Sequence, residues 1–132
     1  MKVNLKNILG MAALGMTLLS NTVPTWAGSV IHGEVSIFRY SPTEIHVSGS
    51  MVGARYSADS RQYIGCSLDS TPRVMCAARD SADNSVYCYS SDAGHVDAVQ
   101  KMTDSSYIEF RYNLTNLTCE MMWITNNSSG LQ

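Results

Sequence analysis

Arg73-Val74-Met75-Cys76-Ala77-Ala78, Arg79-Asp80-Ser81-Ala82-Asp83-Asn84 and Ser85-Val86-Tyr87-Cys88-Tyr89 are the consecutive stretches whose reading decides the fold. The outer two alternate in polarity and carry the β-branched and aromatic residues of strands. The middle one is rich in turn formers. Together they predict a β-hairpin centred near Ala82. Such a hairpin sets Cys76 opposite Cys88, at a spacing a disulfide can bridge. Tyr87 and Tyr89 then share the face opposite Val86 and Cys88.

The same alternation extends outward. Ile31 to Tyr40 reads as a half-buried strand, with Ile31, Gly33, Val35 and Ile37 on one face. Ser41-Pro42-Thr43 is a turn, and Glu44 to Tyr56 alternates again. Gly49 and Gly53 within it mark a bulge or a close backbone approach. Tyr63 to Leu68 is a short strand that ends at Asp69-Ser70-Thr71-Pro72. After the hairpin, Ser91 or Asp92 caps a helix over Ala93 to Thr103, where Val96, Val99 and Met102 recur near helical spacing. Tyr107 to Leu114 alternates, with Ile108, Phe110, Tyr112 and Leu114 on one face. Leu117 to Thr125 follows, with Leu117, Cys119, Met121 and Trp123 on one side. The sum is an α+β domain: a mostly antiparallel sheet of about seven short strands, with one helix packed on a face and disulfides as staples.

The beginning of the chain has a different composition. Lys2 and Lys6 precede an apolar run from Ile8 to Leu19, and Pro24 and Thr25-Trp26-Ala27 follow. This is the order of a secretory signal, with cleavage expected after Ala27. The run is too short for a spanning helix, which needs about 20 apolar residues. Residues 1–27 are therefore read as a signal peptide and 28–132 as one small domain, secreted or periplasmic, with no membrane span in the mature chain. The whole chain of 132 residues has a formal net charge of −2. Removing Lys2 and Lys6 makes the remainder more acidic. With no basic run, the domain lacks the phosphate-neutralising charge that nucleic-acid binding requires.

All four cysteines (Cys66, Cys76, Cys88 and Cys119) follow residue 27. An even count in a small exported domain reads as a disulfide framework. Three pairings are open to four cysteines. The hairpin favours Cys76–Cys88, which leaves Cys66–Cys119 by elimination. No C-x-x-C knuckle supports a zinc or redox reading.

From Cys76 through Ser129 the chain runs in a set order. Cys76 and the Ala-Arg-Asp turn lead to Cys88-Tyr89-Ser90-Ser91 and the helix at Asp92. Then come Thr103-Asp104-Ser105-Ser106-Tyr107-Ile108-Glu109-Phe110, Cys119 and a polar Asn/Ser end. This order resembles a loose group of small, uncharacterised secreted bacterial proteins with paired cysteines. The resemblance implies a secreted bacterial protein with paired cysteines and carries no activity with it.

The candidates for chemistry are few. His32 and His46 lie on neighbouring strands, and Glu34 or Glu44 could join them as a two-His, one-carboxylate metal site. Ordinary exposed strand histidines are the reading set against it. His95 opens the helix and would need a nucleophile to act as a base in a small exported hydrolase. Without a G-x-S-x-G elbow, it reads as a surface or capping residue. The loop Asp80-Ser81-Ala82-Asp83-Asn84 offers oxygens to calcium but too few ligands, so it reads as a polar turn. No cofactor is expected.

The aromatic residues interleave with arginines: Tyr63, Tyr87, Tyr89, Phe38, Tyr40 and Tyr56 with Arg39, Arg55, Arg61 and Arg73. Tyr and Arg dominate binding hot spots because they combine rigid area with polar reach. Tyr87, Tyr89, Tyr40 and Arg39 are accordingly the candidate binding surface. The function expected is that of a non-enzymatic binding or inhibitor-like module whose partner is another protein. A histidine hydrolase and a metal-binding protein centred on His32 and His46 are the alternatives.

Overall fold

A computed structural model describes residues 33–126. The expected signal peptide, His32 and the polar tail beyond Asn126 lie outside the described residues. Seven strands and two helices follow in the order β1 (Ser36–Arg39), β2 (Glu44–Ser50), α1 (Met51–Arg55), β3 (Tyr63–Leu68), β4 (Val74–Arg79), β5 (Ser85–Ser90), α2 (Ala93–Gln100), β6 (Tyr107–Asn113) and β7 (Cys119–Thr125). The strands are antiparallel to their sheet neighbours. The α+β, disulfide-stabilised class read from the sequence is the class observed.

The strands divide into two sheets, where the sequence suggested one. The first has the order β1-β2-β6-β7 and the second β3-β4-β5. A single core receives the inner rows of both: Val47, Ile108, Phe110 and Met122 from the first sheet, and Ile64, Val74, Cys76, Ala78 and Cys88 from the second. Each large apolar side chain buried in this way contributes about 1.5–3 kcal/mol. Helix α2 lies against β7, β3 and β4, so it touches both sheets. Val99 is its buried residue, and Asp92 caps its start by accepting from the Gly94 and His95 amides.

Two local readings are corrected. The strand expected over Glu44 to Tyr56 ends at Ser50 and turns into α1. The cause is a cap: the Ser50 hydroxyl accepts the Gly53 amide at 3.2 Å. Gly53 then lies against Gly33, whose carbonyl oxygen would stand 2.6 Å from any added Cβ. Only glycine permits that approach. Gly49 meets the backbone of Val35 in the same way, with a Cβ falling 3.1 Å from its Cα.

The second correction concerns β7. The pairing of β6 with β7 shifts at Arg111/Tyr112, where Arg111 faces Met121 but Tyr112 faces Cys119. The extra residue is Glu120. A bulge of one residue reverses the side that later residues face. Cys119 therefore points inward with Met122 and Ile124, while Met121 and Trp123 point outward. Trp123 is 61% exposed.

The disulfides are Cys66–Cys76 and Cys88–Cys119. The expected pairing of Cys76 with Cys88, and of Cys66 with Cys119, is overturned. The hairpin itself is as expected, and Cys76 does stand opposite Cys88. Cys76 also stands opposite Cys66 on its other side. On the free edge of β5, Tyr89 pairs with Thr118, and its amide donates to the Leu117 carbonyl at 2.9 Å. That contact brings in Cys119. The four cysteines thus stand in the order Cys66, Cys76, Cys88, Cys119 across the fold. Strand spacing already sets Cys66 roughly 9 Å from Cys88, and Cys119 comes in from the far edge of β5, whereas a disulfide spans about 7 Å between Cα atoms at most. Only neighbour pairing uses all four. Cys66–Cys76 closes within one sheet, and Cys88–Cys119 joins the two sheets.

Candidate functional site: the outer face of the three-stranded sheet

The inner row of β3, β4 and β5 is buried, so the alternate residues form an open outer face. Three cross-strand rows cover it: Tyr63–Arg79–Ser85, Gly65–Ala77–Tyr87 and Ser67–Met75–Tyr89. The middle row has almost no side chain over β3 and β4. A Cβ added at Gly65 would meet nothing within 4 Å. Around this floor stand Tyr63, Arg79, Tyr87 and Met75. Tyr63 is 42% exposed, Tyr87 49% and Met75 40%. The result is an open strip of small residues at the middle of the face, with larger aromatic and polar side chains at the neighbouring register positions.

These larger side chains brace one another. The Tyr87 and Tyr89 rings meet edge to face, 5.8 Å between centroids. The Arg73 guanidinium lies over the Tyr89 ring at 5.2 Å, and that of Arg79 over Tyr63 at 5.6 Å. Such contacts contribute about 0.5–1 kcal/mol each at exposed sites. Both arginines are partly neutralised from the rim, Arg73 by Asp69 at 3.0 Å and Arg79 by Asp83 at 3.5 Å. The Asp69 carboxyl is held below the usual range, first by the Thr71 hydroxyl and then by Arg73.

The hairpin loop from Asp80 to Asn84 is closed on itself. One Asp80 oxygen accepts the Ala82 and Asn84 amides, and the other accepts the Asn84 side chain at 2.8 Å. The loop is a polar turn, and its best oxygen donor is already occupied.

The four residues expected to form one binding surface are separated. Tyr87 and Tyr89 share the face just described. Tyr40 lies on the outer face of the other sheet, under the Arg111 guanidinium at 4.6 Å. Arg39 donates to the Pro42 carbonyl at 2.8 Å within its own turn. Sequence reading missed Gly65, Ala77 and Arg79. A signal was present, because a glycine in a strand marks a place something else can approach. Which residues surround it depends on register, which single strands do not disclose.

The histidines are placed as follows. His46 packs on Phe38, 4.8 Å between ring centroids, and its Nε2 lies 3.4 Å from Glu109 Oε1. Its carboxylate neighbour is Glu109 of β6, the strand paired with β2, and not Glu34 or Glu44. His95 Nδ1 lies 2.7 Å from the Ser90 hydroxyl, which also accepts the Asp92 amide at 3.1 Å. Among the described residues no three His, Cys, Asp or Glu side chains gather as a metal site. No helix among them is long and apolar enough to cross a membrane. Comparison with known proteins found no matching family model, curated protein or solved structure.

Proposed function

We propose that the protein is an exported, non-enzymatic binding module that engages another protein through the outer face of β3-β4-β5. The observation that carries this reading is the unfilled floor at Gly65 and Ala77 between Tyr63, Tyr87, Met75 and Arg79. A partner side chain seated there would be enclosed by rigid aromatic area, the arrangement from which hot spots are made. The disulfides support the exported setting, because they persist in oxidising compartments. They also keep the face rigid, which lowers the ordering cost of binding. The secreted bacterial group that the sequence resembles fits the same setting.

The test is a photo-cross-linking amino acid placed at position 87 in the natively exported protein. A single partner band is expected, reduced at least tenfold when Gly65→Phe fills the floor. A band unchanged by Gly65→Phe, or no band at all, counts against the reading.

One observation favours the hydrolase alternative, namely the 2.7 Å contact between the Ser90 hydroxyl and His95 Nδ1. A histidine accepting from a serine is the activated-nucleophile arrangement. The same contact also closes the cap of α2. A fluorophosphonate distinguishes the two. Labelling at Ser90 that is lost in His95→Ala supports the hydrolase, and an unlabelled Ser90 removes it. A native mass without bound metal would remove the metal alternative.

A further inference from the structure

We infer that the four cysteines form a thiol-exchange relay. An external thiol that opens Cys66–Cys76 passes the disulfide inward to Cys76–Cys88, and so releases Cys119, the sulfur that ties the two sheets together.

Three observations carry this. First, Cys76 stands opposite two cysteines at once, Cys66 across β3 and Cys88 across β5. Its sulfur has a bonded neighbour on one side and a second disulfide on the other. Second, the row continues beyond Cys88. Residues Leu117 and Thr118 run along the other edge of β5, so Cys88 lies between Cys76 and Cys119. Exchange needs the entering and leaving sulfurs on opposite sides of the sulfur attacked. Cys88 has Cys76 opposite it on β4 and is bonded to Cys119 of β7. Third, access is unequal. Cys66 is half-buried, whereas Cys76, Cys88 and Cys119 are buried. An outside thiolate reaches the Cys66 end first.

The steps balance. An external thiolate bonds to the Cys66 sulfur, the Cys66–Cys76 bond breaks, and the electron pair leaves on Cys76 as thiolate. That thiolate bonds to the Cys88 sulfur, the Cys88–Cys119 bond breaks, and the pair leaves on Cys119, which takes up a proton. Two sulfur–sulfur bonds exist before and two after: the external thiol on Cys66, and Cys76–Cys88. No net electron is gained or lost beyond the thiol consumed. The co-reactant is a monothiol of the glutathione class. The second step restores a cross-link within the three-stranded sheet, now between β4 and β5, while its tie to β7 opens. Cys66 then carries the external thiol and Cys119 is free; attack of Cys119 on Cys88, followed by Cys76 on Cys66, restores both native bonds and expels the external thiol.

The test is a time course of the native full-length exported protein with reduced glutathione, quenched in acid, alkylated and mapped by peptide mass. The expected first product carries glutathione on Cys66, a Cys76–Cys88 bond and an alkylated Cys119. An alkylated Cys76 beside an intact Cys88–Cys119 overturns the relay. So does simultaneous opening of both bonds without Cys76–Cys88, or no opening short of unfolding. Cys66→Ser gives a second reading, because it leaves Cys76 without its partner. In catalytic glutathione, peptide mapping of this variant should recover Cys76–Cys88 together with a free Cys119, and its absence overturns the relay. If that variant does not fold, the time course on the native chain decides alone.

Discussion

The outer faces of the two sheets are built from the same residue types and differ in what occupies their centres. On β1-β2-β6-β7 the middle is filled. Arg111 lies over Tyr40 and donates to the Met121 sulfur at 3.2 Å, and His46 stands between Phe38 and Glu109. On β3-β4-β5 the middle is Gly65 and Ala77, and the arginines are held at the rim by Asp69 and Asp83. Aromatic and arginine content therefore does not distinguish an open face from a self-satisfied one. The distinguishing feature is whether the arginine reaches the centre. Where it does, the face completes its own contacts. Where it is kept at the edge, the centre carries no large side chain.

The largest effect that sharpens this comparison comes from the disulfides. Replacing Cys88 and Cys119 together by Ala should cost about 4 kcal/mol, and replacing Cys66 and Cys76 about 3 kcal/mol, by loop-closure entropy. Their sequence separations are 31 and 10. Denaturant unfolding checks the order. A reversed order would mean that the three-stranded sheet depends on its internal bond more than on its tie to the other sheet.

Two glycines come next, one in each setting. Gly53→Ala should cost about 1–3 kcal/mol, because its Cβ meets the Gly33 backbone, and overpacking against backbone cannot relax easily. Gly65→Phe should change stability by less than about 0.5 kcal/mol, as surface changes do, while removing partner binding. A thermal melt of both variants separates filled space from empty space directly.

Single truncations follow. Tyr87→Ala should weaken partner binding about 30-fold, as for a hot-spot residue worth about 2 kcal/mol. Trp123→Ala should leave binding unchanged, although Trp123 is the more exposed of the two. An equal loss from both would remove the distinction between the faces.

The smallest effect is at the loop that anchors β1. Asp59 accepts from the Arg61 and Gln62 amides, and Gln62 in turn accepts the Val35 amide at 2.7 Å. The Arg61 amide first, and then the Gln62 side chain, hold the Asp59 carboxyl below its ordinary value of 3.8. A carboxyl lowered on folding stabilises fully above its unfolded value, and that contribution is lost as pH falls through the lowered folded value. Asp69 and Glu120 are lowered too and act in the same direction. Asp59→Asn should therefore reduce stability at neutral pH and flatten its decline in acid, as read by unfolding across a pH series.

Much of the fold was legible in the sequence. Alternation located all the strands, because each turns one row of side chains toward the core, down to the half-buried Ile37 of β1. Asp92 announced α2, and the hairpin placed Cys76 opposite Cys88. What escaped depended on relations between distant segments. The bulge at Glu120 reversed the outward side of β7, and nothing local to Glu120 signals it. Helix α1 is five residues long, too short for periodicity to show, and its cap at Ser50 resembles any strand serine. The disulfide pairing failed because Cys76 has two opposite neighbours. A hairpin read in isolation shows one of them, and the strand order supplies the other. The candidate face was half legible: Tyr87 and Tyr89 were named, whereas Gly65 and Arg79 gain their meaning only from register.

A row of four cysteines closes one sheet on itself and joins it to the other. Peptide mapping of the unreduced exported protein, digested in acid where thiolates are absent, tests it most directly. The account predicts two linked peptide pairs, Cys66 with Cys76 and Cys88 with Cys119. Recovery of Cys76 linked to Cys88 in the untreated protein would contradict it.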